Sequence, residues 1–89
     1  MLKILRVMAA GEPTTLRLDG QLKGRWVNLL RRTCKTQLKK GARVTIDLTN
    51  VSFADRDGIG LLQSLTDRRV EILNALPFIA EQITKATSE

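Results

Sequence analysis

Apolar and polar positions alternate weakly from Leu2 to Val7 and clearly from Thr14 to Leu22, where Leu16, Leu18 and Leu22 share one side. A two-residue period marks a half-buried strand, and Gly11-Glu12-Pro13 is turn chemistry, so the two runs are expected to pair as a hairpin. After Gly24 the period lengthens. Trp26, Val27, Leu30, Cys34 and Leu38 recur at helical spacing with basic residues largely opposite, which predicts an amphipathic helix over 25–40 closed by Gly41. Ala42 to Leu48 (ARVTIDL) is a β-branched strand, and Thr49 to Ala54 reads as a connection. Ile59, Leu61, Leu62, Leu65 and Thr66 then predict a helix from about Asp57 to Asp67. Arg69 to Leu73 has strand character. Pro77 suits the first turn of a last helix whose apolar stripe is Phe78, Ile79, Ile83 and Ala86.

The element order is therefore ββαβαβα. Strands separated by helices imply right-handed crossovers and an α/β fold: a small mixed sheet of about four strands, parallel in its later part, with the first strand antiparallel at or near an edge. At 89 residues the chain is read as one domain, 1–89. A chain of this size buries only roughly 60–65% of the surface exposed by its unfolded form, so the core is modest. The single cysteine, Cys34, cannot form an intramolecular disulfide and no metal-ligand cluster appears, which favours a reducing, cytoplasmic setting. Cys34 lies on the apolar side of its helix, and no histidine exists to activate it, so it reads as a core thiol. The N-terminal MLKILRVMAAG has an early lysine and small residues, but Arg6 splits its apolar run below the length of a signal h-region, and a first strand is expected instead. No stretch approaches the ~20 apolar residues of a membrane span.

Fifteen basic residues against nine acidic give a net charge of +6, which raises nucleic acid or an anionic surface as a partner. The basic residues are spread out. Their one cluster is Arg25, Arg31, Arg32, Lys35, Lys39 and Lys40, the polar side of the 25–40 helix. Only Trp26, Phe53 and Phe78 could offer stacking platforms, and no RNP-like, KH-like or zinc-finger spacing is present, so nucleic-acid binding through that helix ranks as a minor alternative.

The stretch FADRDGIGL, residues 53–61, concentrates the remaining candidate chemistry. Asp55 and Asp57 flank Arg56 and run into Gly58 and Gly60 at a strand-to-helix junction. Acid–base work by such a pair would need a metal, a cofactor or a raised pKa, and the chain supplies no histidine or further clustered acid, so no catalytic residue and no cofactor is assigned. A receiver-type phospho-aspartate lacks its early acidic pair and its later lysine. Helix N-terminal amides could cradle a phosphate, but Asp57 beside them repels an anion. A carboxylate at a helix N-terminus has a plain structural role, and either Asp55 or Asp57 is expected to be the N-cap. Gly58 and Gly60 are expected to let the helix start lie close against the sheet.

VTIDLTNVSFADRDGIGLLQSL resembles the signature of the STAS domain (sulfate transporter and anti-sigma factor antagonist): a strand ending in Asp-Leu, a loop, Asp-Ser-Ser-Gly and a Leu-rich helix. LRLDGQLKGRWVNLLRR is similar to that family's second strand and first helix, and the resemblance covers residues 14 to 85. It implies a protein-interaction module and not an enzyme. In bacterial members the serine just before the glycine is phosphorylated by a partner anti-sigma kinase; here that position is Asp57 and the one before it is Arg56. Asp57 cannot accept that phosphate, and it carries about one negative charge where phosphoserine carries roughly 1.5–2. The resemblance thus makes Asp57 the regulatory position, with either a constitutive partial mimic or a lost switch behind it. The expected docking surface runs through Ser52, Asp55, Arg56, Asp57, Gly58 and Gly60 and along Gln63, Ser64 and Asp67. The expected partner is a protein, an anti-sigma factor or kinase-like, or the ATPase of a lipid-transport ABC system. Exposed sheet edges also allow a homodimer.

Overall fold

A computed structural model describes residues 2–8, 11–41 and 43–87. The expected hairpin is present: β1 (Leu2–Val7) pairs antiparallel with β2 (Thr14–Leu22), with Ile4 opposite Leu18 and Arg6 opposite Leu16. The first helix, α1, spans Arg25–Lys39 and ends at a left-handed Gly41 (φ 76). β3 (Val44–Ala54), α2 (Arg56–Asp67), β4 (Glu71–Leu73) and α3 (Pro77–Thr87) follow. The sheet order is β1-β2-β3-β4, with β2, β3 and β4 mutually parallel. This is the mixed four-strand sheet and ββαβαβα order that the sequence implies. Ala42 of the expected third strand and Ala9-Ala10 of the N-terminal run lie outside the described residues. No described helix is long and apolar enough to cross a membrane.

The largest departure is in β3. Residues 49–54, expected as a connection, continue the strand to Ala54. The pairing with β2 shifts twice, between Arg17 and Asp19 and between Gly20 and Gln21, so β3 carries an extra residue at each shift. Each bulge turns the inward side by one residue. Leu48, Val51 and Ala54, three apart, are therefore all buried, where an unbroken strand would alternate. A period of three resembles neither strand nor helix.

The helices cover one face of the sheet. Leu16, Leu18 and Leu22 of β2 and Ile46, Leu48 and Val51 of β3 are almost fully excluded from water, beneath Val27, Leu30 and Cys34 of α1 and Leu61, Leu62 and Leu65 of α2. Burial pushes the Cys34 thiol up to about 11, which suits an inert core group. In α3, Ile79 is buried but Phe78 is 63% exposed, so the expected stripe is narrower; the side chain of Ala86 lies outside the description. On the other face, Leu5, Arg17, Asp47 and Leu73 form one row across all four strands. Leu5 and Leu73 are exposed there, and Arg17 Nε lies 3.8 Å from Asp47 Oδ2. Asp47 also accepts hydrogen bonds from the Thr49 hydroxyl, the Thr49 amide at 2.9 Å and Asn74 Nδ2 at 3.2 Å, and the Thr49 bonds foremost hold its carboxyl below the ordinary range.

Candidate functional site

The β3–α2 junction is built around Asp55. Its backbone is extended (φ −79, ψ −178), the conformation of an N-cap, and its Oδ1 accepts from the Gly58 amide at 2.7 Å. Its other oxygen, Oδ2, accepts from the Gly24 amide at 3.0 Å. Gly24 is the N-cap of α1, where no side chain of that helix caps the end. One carboxylate therefore ties the starts of two helices whose sequence positions differ by 31. These bonds, Gly24 first and Gly58 next, hold the Asp55 carboxyl below the ordinary carboxylate range. The Asp55 amide in turn donates to the Leu22 carbonyl at 3.0 Å, so the ends of β2 and β3 are stitched together at the same point.

Gly58 is buried against that stitch. A Cβ on it would sit 2.7 Å from the Leu22 carbonyl oxygen and 3.1 Å from Leu22 Cγ, so Gly58 shapes the site from beneath and offers a partner no surface. Gly60 differs from expectation. It is exposed, with nothing within 4 Å of the place a Cβ would occupy, so close packing on the sheet does not require it.

The other expected contact residues separate by position. Arg56, Asp57, Gly60, Ser64 and Asp67 are exposed on α2, and the steps from 57 to 60, 64 and 67 follow one side of a helix. Arg56 forms no ion pair with Asp55 or Asp57 among the described residues. Ser52 is exposed at the second bulge of β3, its hydroxyl 3.5 Å from the Gly20 carbonyl oxygen. Gln63, expected to be exposed, is half-buried instead, and its Nε2 donates to the Gln82 carbonyl of α3 at 3.1 Å. It packs helix on helix and is withdrawn from the free face.

Leu22 and Gly24 complete the junction and were not singled out by motif. The available signal is that α1 begins after Lys23-Gly24 with no Ser, Thr, Asp or Asn to cap it, so its cap has to come from elsewhere in the chain. Chemically the junction leaves one carboxylate engaged in amide bonds, a second carboxylate and a guanidinium exposed on the surface, and no hydroxyl at 56 or 57. Among the described residues no group of acids and thiols is placed to hold a metal ion.

A family model described as the STAS domain matches residues 6–85. No curated protein matches the chain. Solved structures of similar fold include the anti-sigma factor antagonist SpoIIAA in its unphosphorylated form, 20% identical with a TM-score of 0.61 over 98% of this chain and 100% of that one. The Bacillus cell fate determinant SpoIIAA in the phosphorylated form is 22% identical, with a TM-score of 0.72 over 94% of this chain and 83% of that one. An antisigma-factor antagonist STAS domain from Rhodobacter sphaeroides is 21% identical, with a TM-score of 0.62 over 82% and 86%. At these identities the likeness is one of fold.

Proposed function

The chain belongs to the STAS domain family, and from that premise we propose that it is a non-catalytic regulatory module of the cytoplasm that docks a protein partner through the start and free side of α2. The observation that carries this reading is the division of labour at the junction. Asp55 is consumed in holding two helix starts, while Arg56 and Asp57, one and two residues on, stand exposed on the first turn. The contact set is Ser52, Arg56, Asp57, Gly60, Ser64 and Asp67, with Asp55 and Gly58 as its support. Asp57 occupies the place that the resemblance gives to the phosphorylated serine. A carboxylate there is favoured by the helix N-terminus and cannot be switched, so the surface serves a partner without serine phosphorylation.

The test is affinity capture from the native cell with the wild-type chain and with Arg56→Glu and Asp57→Arg. An anti-sigma, kinase-like or ABC-type ATP-binding protein, recovered by the wild type and lost with either variant while both variants melt as the wild type does, is the expected result. Equal recovery by all three places the docking surface elsewhere. Recovery of nucleic acid that falls steeply with salt overturns the reading.

A further inference from the structure

A groove runs between α1 and α2, along the side of α2 that carries Ser64 and toward the C-terminal ends of both helices. Arg31 and Lys35 of α1 and Arg68 at the end of α2 line a depression of about 120 Å³. Its floor is buried Cys34, Leu61 and Leu65 with half-buried Leu38, and exposed Ser64 completes the lining. Leu38 and Arg68 also border a second hollow, of about 490 Å³, which continues past the helix ends to Arg43 and Arg69. Together the two linings hold five cations and no carboxylate. Arg31 Nη1 donates to Asn28 Oδ1 at 2.6 Å, and none of the five forms an ion pair among the described residues. Asp67 and Glu71 flank these cations in sequence but do not line the groove. Crowded like charges oppose the compact state, and the negative ends of two helices offset this only in part.

Arg69 supplies an independent sign. The end of α2 is closed by two reverse bonds, the Val70 amide to the Leu65 carbonyl at 3.0 Å and the Arg69 amide to the Thr66 carbonyl at 3.1 Å, with Val70 and Leu65 both buried. That closure requires a left-handed residue between them, and Arg69 adopts it with φ 66. Glycine is the residue this position favours, and a long L side chain is strained there. The strain places a fifth cation on the groove.

We propose that this groove docks an acidic, amphipathic peptide segment of a protein partner. Its carboxylates would meet the rim cations, and its apolar side chains would meet Leu38, the accessible part of the floor. No aromatic residue lines the groove, so bases find no stacking platform, and the concave floor is withdrawn from a flat lipid surface. The groove shares Ser64 with the free side of α2, so its test reverses Lys35 and Arg68, which the docking site proposed at the start of α2 does not use.

The test uses a fluorescein-labelled peptide of about four helical turns, with Leu on one side and Glu on the other, at low salt. Comparators are the same peptide with Gln for Glu, a single-stranded oligonucleotide and phosphatidylserine vesicles. The Glu peptide is expected to bind, the Gln peptide to bind about tenfold more weakly, and Lys35→Glu/Arg68→Glu to reduce binding by a similar factor with the melting temperature retained. Arg69→Gly is the discriminating variant: it should melt several degrees higher than the wild type yet bind the Glu peptide more weakly. No binding of the Glu peptide, equal binding of the Gln peptide, or tighter binding of the oligonucleotide or vesicles overturns the proposal. So does an Arg69→Gly or a folded double charge reversal that binds at full strength.

Discussion

At the scale of single residues, Asp55 is the side chain on which the junction depends, and its two oxygens can be separated by experiment. Asp55→Ala removes the cap of α2 and the acceptor for Gly24 together, and should cost about 1–2 kcal/mol of stability, read as a lower denaturant midpoint with the slope unchanged. Asp55→Asn keeps an oxygen for Gly58 but offers only an amide group toward Gly24, so it should cost less. A wild-type midpoint in Asp55→Ala would mean that solvent satisfies both amides equally well. Gly58 allows a second residue-scale expectation. Because an added Cβ would meet backbone oxygen at 2.7 Å, Gly58→Ala should destabilise by about 1–3 kcal/mol, although alanine is the better helix former. Two glycines that look alike in the motif thus have opposite expectations. At Gly60 a Cβ meets open space, and Gly60→Ala should raise stability by about 0.5–1 kcal/mol in thermal melts. If that variant is more stable and also loses the partner captured by the wild type, Gly60 lies in the contact surface.

At the scale of elements, the second strand, the helix over 25–40 and the proline-started last helix were legible because each keeps one period along its length. The helix from Asp57 was legible to within a residue, since Asp55 is a cap residue type and Leu61, Leu62 and Leu65 sit at helical spacing. What could not be read was the second half of β3. Its core positions Leu48, Val51 and Ala54 obey a period that only two bulges against β2 create, and bulges are a property of the pair of strands. The site was legible in part for the same reason. DRDG announces a helix start, but it does not announce that Asp55 also holds Gly24, because that bond joins positions far apart in sequence. Nor does an amphipathic pattern show that Gln63 turns toward α3, since the residue is polar in either environment. The closure of α2 escaped as well. Arg69-Val70 looks like the beginning of a strand, whereas Arg69 completes a helix end in a conformation that its residue type does not advertise.

At the scale of the molecule, charge and burial act against each other, and acid should reveal it. The chain carries 15 basic and nine acidic residues, so protonating the carboxylates drives its net charge from +6 toward +15. Two of those carboxylates also hold structure: Asp55 ties β2, β3, α1 and α2 at one end of the sheet, and Asp47 ties the first bulge of β3 to the segment after β4. Both are held below the ordinary carboxylate range, Asp47 by Thr49 and Asp55 by Gly24 and Gly58. A carboxyl whose folded pKa is depressed contributes stability that is fully present above its unfolded pKa and is lost as pH falls through the folded value. Stability should therefore be level through neutral pH and fall below about pH 4, as repulsion among the cations grows in the same window. Urea melts between pH 7 and pH 2.5 separate the two contributions. Asp55→Asn should start from a lower plateau and lose less on acidification, because its junction has no proton to gain. Added chloride should restore part of the loss at low pH in both proteins, since salt screens repulsion and leaves the state of a hydrogen-bonded carboxyl nearly unchanged. An Asp55→Asn profile parallel to that of the wild type would show that protonation of Asp55 does not set the acid limit, and that the junction keeps its hold when its carboxylate is neutral.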